Sequence, residues 1–194
     1  MSIELLGPSF DLHLGGEDLV FPHHEDEIAQ SCGSSGINPA RFWMHANMLN
    51  VNGKKMSKSL GNFFLPQEIV EGTSDLFSKA FSASTIRFFM MQSHYRSTLD
   101  LTEEALTAAE KGLERLKEAL VLLKEIKPSE KSTFNVKVNI QSLYDAMNDD
   151  FNAPILIANL FEVVKKINLI QGSIRKNGSP IILPIKISLI CGFM

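Results

Sequence analysis

Leu106, Ala109, Leu113, Leu116, Leu120 and Leu123 follow one another at intervals of three and four, the spacing that lines one face of an α-helix. That stripe predicts a single long amphipathic helix from near Leu101 to Lys127. A capping-box variant opens it, with Glu103 following Asp100 by three positions, and Pro128 closes it. Such a stripe cannot be buried without partners. A second helix is expected from Asn139 to Met147, and a third from Pro154 with Asn152 or Asp150 as its cap. Leu160, Phe161, Val164 and Ile167 then turn inward, while Glu162 and Lys166 stand at i, i+4 and can pair. Everything after Asp100 reads as all-helical.

The residues before Asp100 obey a different period. Phe10, Leu12 and Leu14 alternate with Asp11 and His13, as in a strand with one buried face, and Gly15-Gly16 stops it. Phe21-Pro22 opens a helix expected from His23 to about Ser31, where the missing N–H of Pro22 is harmless and acidic residues suit the first turns. Gly33, Gly36 and Pro39 break it. A short element covers Arg41 to His45, and a strand from Met48 to Val51 runs into Asn52-Gly53, a tight-turn dipeptide. Short helical patterns follow at Pro66–Gly72 and Ser84–His94. The expected fold class is therefore α/β followed by all-α, with portions 1–98 and 99–177 and an atypical tail at 178–194. That tail is apolar but holds Pro180, Pro184 and Lys186, and it is shorter than the ~20 residues a spanning helix needs, so no membrane segment is expected.

Composition narrows the class further. Hydrophobic residues make up 44% and charged residues 21%, which excludes a disordered chain, a collagen or a coiled-coil rod. With 22 acidic and 19 basic residues the formal charge is −3, so any nucleic-acid contact must come from a local patch. Cys32 and Cys191 lie far apart and form no disulfide framework, and the first residues lack the basic-then-apolar order of a signal peptide. A reducing, cytoplasmic setting is expected.

Three constellations carry chemistry. Lys55-Met56-Ser57-Lys58-Ser59, followed by Leu60-Gly61-Asn62, places two lysines and two hydroxyls on a loop suited to gripping a polyphosphate. An arbitrary Lys-x-x-Lys is usually a solvated loop, but this pentapeptide matches the signature loop of class I aminoacyl-tRNA synthetases. In Asp11-Leu12-His13-Leu14-Gly15-Gly16-Glu17-Asp18 a strand ends in two glycines that permit close backbone approach, with Asp18 free to accept from ribose hydroxyls. A plain turn with a helix cap would explain this segment about as well. In Phe21-Pro22-His23-His24-Glu25-Asp26-Glu27, a helix begun at Pro22 puts His23 and Glu27 on one face, within reach of one metal ion, and turns His24 elsewhere. Surface pairing is the commoner explanation of an isolated His-x-x-x-Glu.

Taken together, these runs resemble the cysteinyl-tRNA synthetase family, from Met1 through about Ile170. Glu4 to Gly7, Trp43-Met44-His45 and His94 to Ser97 add to the match in order and spacing. The resemblance implies a Rossmann-like class I catalytic domain, entered part-way, followed by a helical-bundle domain of the tRNA-binding type. It implies that Lys55 and Lys58 stabilise ATP phosphates, that Gly15, Gly16 and Asp18 bind adenosine, and that His13 lines the amino-acid pocket. It also implies that His23 and Glu27 hold zinc, which takes the substrate thiolate and rejects the poorly ligating serine hydroxyl. The reaction implied is cysteinyl-adenylate formation from cysteine and ATP, with magnesium, then transfer to the cysteine tRNA, by an enzyme expected to be monomeric.

The family's His-x-Gly-His run and its two zinc-ligand cysteines have no counterpart at the matching places, and the residues after Ile170 do not resemble the family's continuation. The sequence reading is therefore a piece of a synthetase, inactive alone and weak in zinc retention. Two other functions fit the same residues: a cysteine ligase acting on an amino sugar through the same adenylate, and a non-catalytic helical tRNA-binding or assembly module.

Overall fold

The computed structural model describes residues 2–125 and 135–177, so the expectations for Pro128 and for the 178–194 tail lie outside the described residues. The chain divides into two compact units that interleave along the sequence. One holds the residues up to Phe63 together with Tyr95–Leu101, and the other holds Phe64–His94 together with the residues from Thr102 onward.

In the first unit a short helix α1 (Ser2–Leu6) precedes β1 (Phe10–Gly16), α2 (Glu25–Ser35) and β2 (Ala40–Ala46). β1 and β2 pair in parallel, from Phe10 opposite Ala40 to Gly16 opposite Ala46, with α2 as the crossover that parallel strands require. The period-2 signal in β1 is real, but between Leu12 and Leu14 the covered side chain is His13 and not the leucines, while Phe10 is half-buried and Asp11 exposed. Leu12 is 45% and Leu14 63% exposed, while His13 is half-buried. The covered face is filled by rings: His13 stacks on Trp43 of β2, centroids 4.5 Å apart. Opposite Leu12 stands Phe42, 68% exposed, so the other face of this pair is a bare apolar strip.

β3 (Leu49–Val51) and β4 (Lys54–Lys55) form the hairpin announced by Asn52-Gly53, both of which take positive φ, 50° and 74°. β5 (Leu99–Leu101) runs parallel to β3 on its other side. Asp100 is a strand residue whose carboxylate accepts from Gly53 N–H at 2.9 Å, so it does not cap the following helix as expected. Its side chain is occupied by the hairpin turn 47 residues away in sequence.

The second unit is helical: α3 (Pro66–Glu71), α4 (Ala83–Met91), α5 (Glu103–Glu125), α6 (Val136–Asn148) and α7 (Ala153–Asn177). Thr102 caps α5, its Oγ1 accepting from Ala105 N–H at 3.1 Å. Glu103 instead accepts from the backbone N–H and hydroxyl of Ser78, and the hydroxyl bond above all holds its carboxyl below the usual range. Leu106, Ala109, Leu116 and Leu123 are buried along α5 as their spacing predicts, while Leu113 and Leu120 are only half-covered and Ala119, outside that stripe, is buried. Gly112 of α5 allows the close approach of α4: a Cβ there would stand 3.2 Å from Phe88 Cε1. On α7 Leu160 and Ile167 are buried, but Val163 is buried where Phe161 and Val164 are only half-covered. Asn152 caps α7, accepting from Ile155 N–H at 3.4 Å. The Glu162–Lys166 pair does not form, because Lys166 donates to Asn139 Oδ1 of α6 at 3.0 Å and Glu162 takes Lys165 at 2.5 Å. No described helix is long and apolar enough to cross a membrane.

Candidate functional site

Lys55 ends β4, and Lys58 opens a single 3-10 turn, Lys58–Leu60. Both lysines are exposed, and Lys58 Nζ rests 5.2 Å from the Phe63 ring centroid. At the end of β1, Gly16 and Asp18 are immediate neighbours, since a Cβ on Gly16 would run into Asp18 Oδ1. Asp18 itself is exposed in the turn Glu17–Leu19.

The segment between that turn and α2 departs from the regular helix expected there. Val20–His24 forms a π-turn in which Phe21 is extended (φ −129°, ψ 131°) and the Phe21–Pro22 bond is cis. Regular α geometry begins only at Glu25, so counting i, i+4 from Pro22 misplaces the histidines. His24, expected to point elsewhere, is buried, while His23 is exposed. His24 Nδ1 lies 2.8 Å from His45 Nε2, and its ring stands edge-on to His13 with centroids 4.7 Å apart. His13 Nε2 is 3.5 Å from Glu27 Oε2. One ligand atom from each of His13, His24 and Glu27 lies within 4.8 Å of the others. His23 stands outside that group.

Two imidazoles and a carboxylate suit a borderline ion such as zinc, and three protein donors leave one tetrahedral position open. Trp43 borders the group, and its Nε1–H is buried with no hydrogen-bond partner among the described residues. The sequence did not show that His24, His45 and Trp43 stand together beside His13. The signal was the strand register, because His13 sits opposite Trp43 and Gly15 opposite His45.

Burial pushes the His24 pKa below the ordinary 6.5. His13, His45 and His23 act in the same direction, and Glu27 opposes them. The unfolded chain then binds a proton here more readily than the folded one, so stability falls as pH drops below about 6.5 and levels off once the folded ring is also protonated. Metal-free urea midpoints at descending pH should show this decline, and His24→Gln should flatten it. Equal pH slopes for the two proteins would contradict the assignment.

The family model described as tRNA synthetases class I (C) catalytic domain matches residues 1–111. The chain belongs to this family. A DALR domain model matches residues 142–179 of the same synthetase chain, within α6 and α7 and just beyond. Cysteine-tRNA ligase from Bacteroides thetaiotaomicron is 52% identical over 175 residues, covering 88% of this chain and 35% of the relative. The enzyme of that name from Porphyromonas gingivalis is 50% identical over 177 residues, covering 90% of this chain and 36% of the relative. The synthetase chain thus spans about a third of the length of the curated relatives it matches. Among solved structures, the Agrobacterium radiobacter K84 agnB2 LeuRS in a ternary complex with tRNA and LeuAMS aligns with TM-score 0.63 at 19% identity, over 84% of this chain and 23% of that one. Mycobacterium tuberculosis methionyl-tRNA synthetase in complex with methionyl-adenylate aligns at 0.57 and 18% identity, over 85% of this chain and 34% of that one. These two share the fold: α/β, then helical.

Proposed function

We propose that this chain carries the cysteine-selecting and phosphate-binding parts of an ATP-dependent cysteine-tRNA ligase. The observation that supports this most is the convergence of His13, His24 and Glu27 on one small volume at the end of β1. Zinc held by His13, His24 and Glu27 would supply a soft contact for a thiolate that a serine hydroxyl cannot match. The Trp43 ring borders the group, stacked on His13. Gly15 and Gly16 are assigned to the adenosine subsite at the end of β1, where Asp18 accepts from ribose hydroxyls. Lys55 and Lys58 neutralise charge on the ATP phosphates while the cysteine carboxylate attacks the α-phosphate and pyrophosphate leaves; magnesium accompanies the ATP. The aminoacyl group then passes to the cysteine tRNA. Residues 142–179, which the DALR model matches, are assigned to tRNA contact.

Calorimetric titration of the purified chain tests the reading. Zinc-dependent binding of cysteine, preferred over serine, is expected together with ATP binding. Cysteine-dependent ATP–pyrophosphate exchange is not expected from these 194 residues, which contain no His-x-Gly-His run to complete the phosphate site. His24→Ala should release zinc and His23→Ala should retain it. Absence of both cysteine and ATP binding at millimolar concentrations would refute the proposal.

A further inference from the structure

The lysine loop is held by the last side chain of its own run, Asn62. Asn62 Oδ1 accepts from Ser57 N–H at 2.9 Å, and its Nδ2 donates to the Lys55 carbonyl at 3.1 Å. The Asn62 amide thus behaves like a neighbouring strand laid against Lys55-Met56-Ser57, while Met56 N–H donates to Leu49 O of β3 at 3.3 Å. The turn beyond is closed separately: Leu60 N–H reaches Ser57 Oγ at 3.3 Å, and Gly61 N–H reaches Lys58 O at 3.2 Å. Gly61 takes φ 66°, which lets the chain double back and bring Asn62 opposite Lys55.

We propose that Asn62 is a positioning residue for the two lysines, fixing the backbone on either side of Met56 so that Lys55 and Lys58 leave the loop at a set separation. This rests on the nucleotide reading above and deepens it, since two point charges aimed at one polyphosphate are effective only when they are preorganised. The chemistry selects an amide. One planar group must donate to a carbonyl and accept from an N–H, so aspartate would set a carboxylate against the Lys55 carbonyl and alanine would leave both backbone groups open. Phe63, the next residue, supports the Lys58 ammonium over its ring, so the same turn orients both the backbone and the terminal charge.

The test is a substitution cycle on the full chain, with MgATP as probe and hydrogen exchange of the Ser57 amide as a second readout. Asn62→Ala and Asn62→Asp should each weaken ATP binding by roughly tenfold to a hundredfold and deprotect Ser57 N–H. A residue that acts through the two lysines loses its effect when both are gone, so once Lys55→Ala and Lys58→Ala are in place together Asn62→Ala should add little further loss. Additive losses, or unchanged ATP affinity in Asn62→Ala, would overturn the positioning role and leave the nucleotide reading standing. Failure of the wild-type chain to bind ATP would instead overturn the nucleotide reading and the functional half of this proposal with it. Ser57 exchange decides the structural half in every case, because unaltered protection in Asn62→Ala rules out the staple.

Discussion

Leu106→Ala should cost the helical unit about 2–5 kcal/mol, the range for emptying a well-packed leucine site. Leu106 has no exposed surface and lies in the first turns of α5, where its N–H already bonds Thr102 O at 3.0 Å. The backbone there cannot move inward to fill the space without giving up the Thr102 cap of Ala105 N–H. Retained cavity volume adds to the lost transfer free energy. Urea unfolding followed by helical circular dichroism should show a midpoint lowered by on the order of 1 M or more at an unchanged slope. Val121→Ala on the same helix is the control, because Val121 is 57% exposed and its loss should stay within about 0.5 kcal/mol. Equal effects at the two positions would mean that α5 does not bury the face its spacing defines.

That face was legible because a helix declares its buried side through its own period. Leu106, Ala109, Leu116 and Leu123 need no knowledge of their partners to be assigned inward. β1 is the opposite case. Alternation shows that Leu12 and His13 face opposite ways, but which way is inward depends on what the rest of the chain lays against each side. Here Trp43, 30 positions on, and His24 from the turn before α2 cover His13 with their rings. Asp100 misled for a related reason: its spacing to Glu103 is a good cap pattern, yet the Gly53 N–H competes for the same carboxylate. The lysine loop was readable as a motif that ends in Asn62, but the partners of that amide were not, because they are backbone groups brought opposite it by the turn at Gly61. The metal-capable group was half readable. Glu27 and His13 were singled out for separate roles, and the π-turn that brings His24 beside them has no sequence signature of its own.

Gly15→Ala should have the largest effect on the site, for a reason unrelated to backbone freedom. A Cβ on Gly15 would overlap His24 Cε1, lie 2.9 Å from its Nε2 and stand 3.3 Å from Leu19 Cδ1. His24 has no easy retreat. Its Nδ1 is bonded to His45, and its ring is flanked by Trp43 at 5.0 Å and His13 at 4.7 Å between centroids. The added methyl must therefore push the imidazole out of its bond to His45 or spread β1 from the turn, an overpacking cost of about 1–3 kcal/mol. Zinc affinity should fall by about tenfold to a hundredfold, as when the support of a metal-ligating histidine is removed. The pH dependence assigned to His24 should shrink at the same time, because a displaced ring is hydrated and regains its ordinary proton affinity. Gly36→Ala separates this from a generic glycine effect. Gly36 has φ 70° and nothing within 4 Å of its would-be Cβ, so it pays only a backbone cost of about 1 kcal/mol and keeps zinc affinity and pH profile intact. A Gly15→Ala chain that binds zinc like the wild type would show that His24 does not depend on the close approach of β1, and would remove it from the proposed donor set.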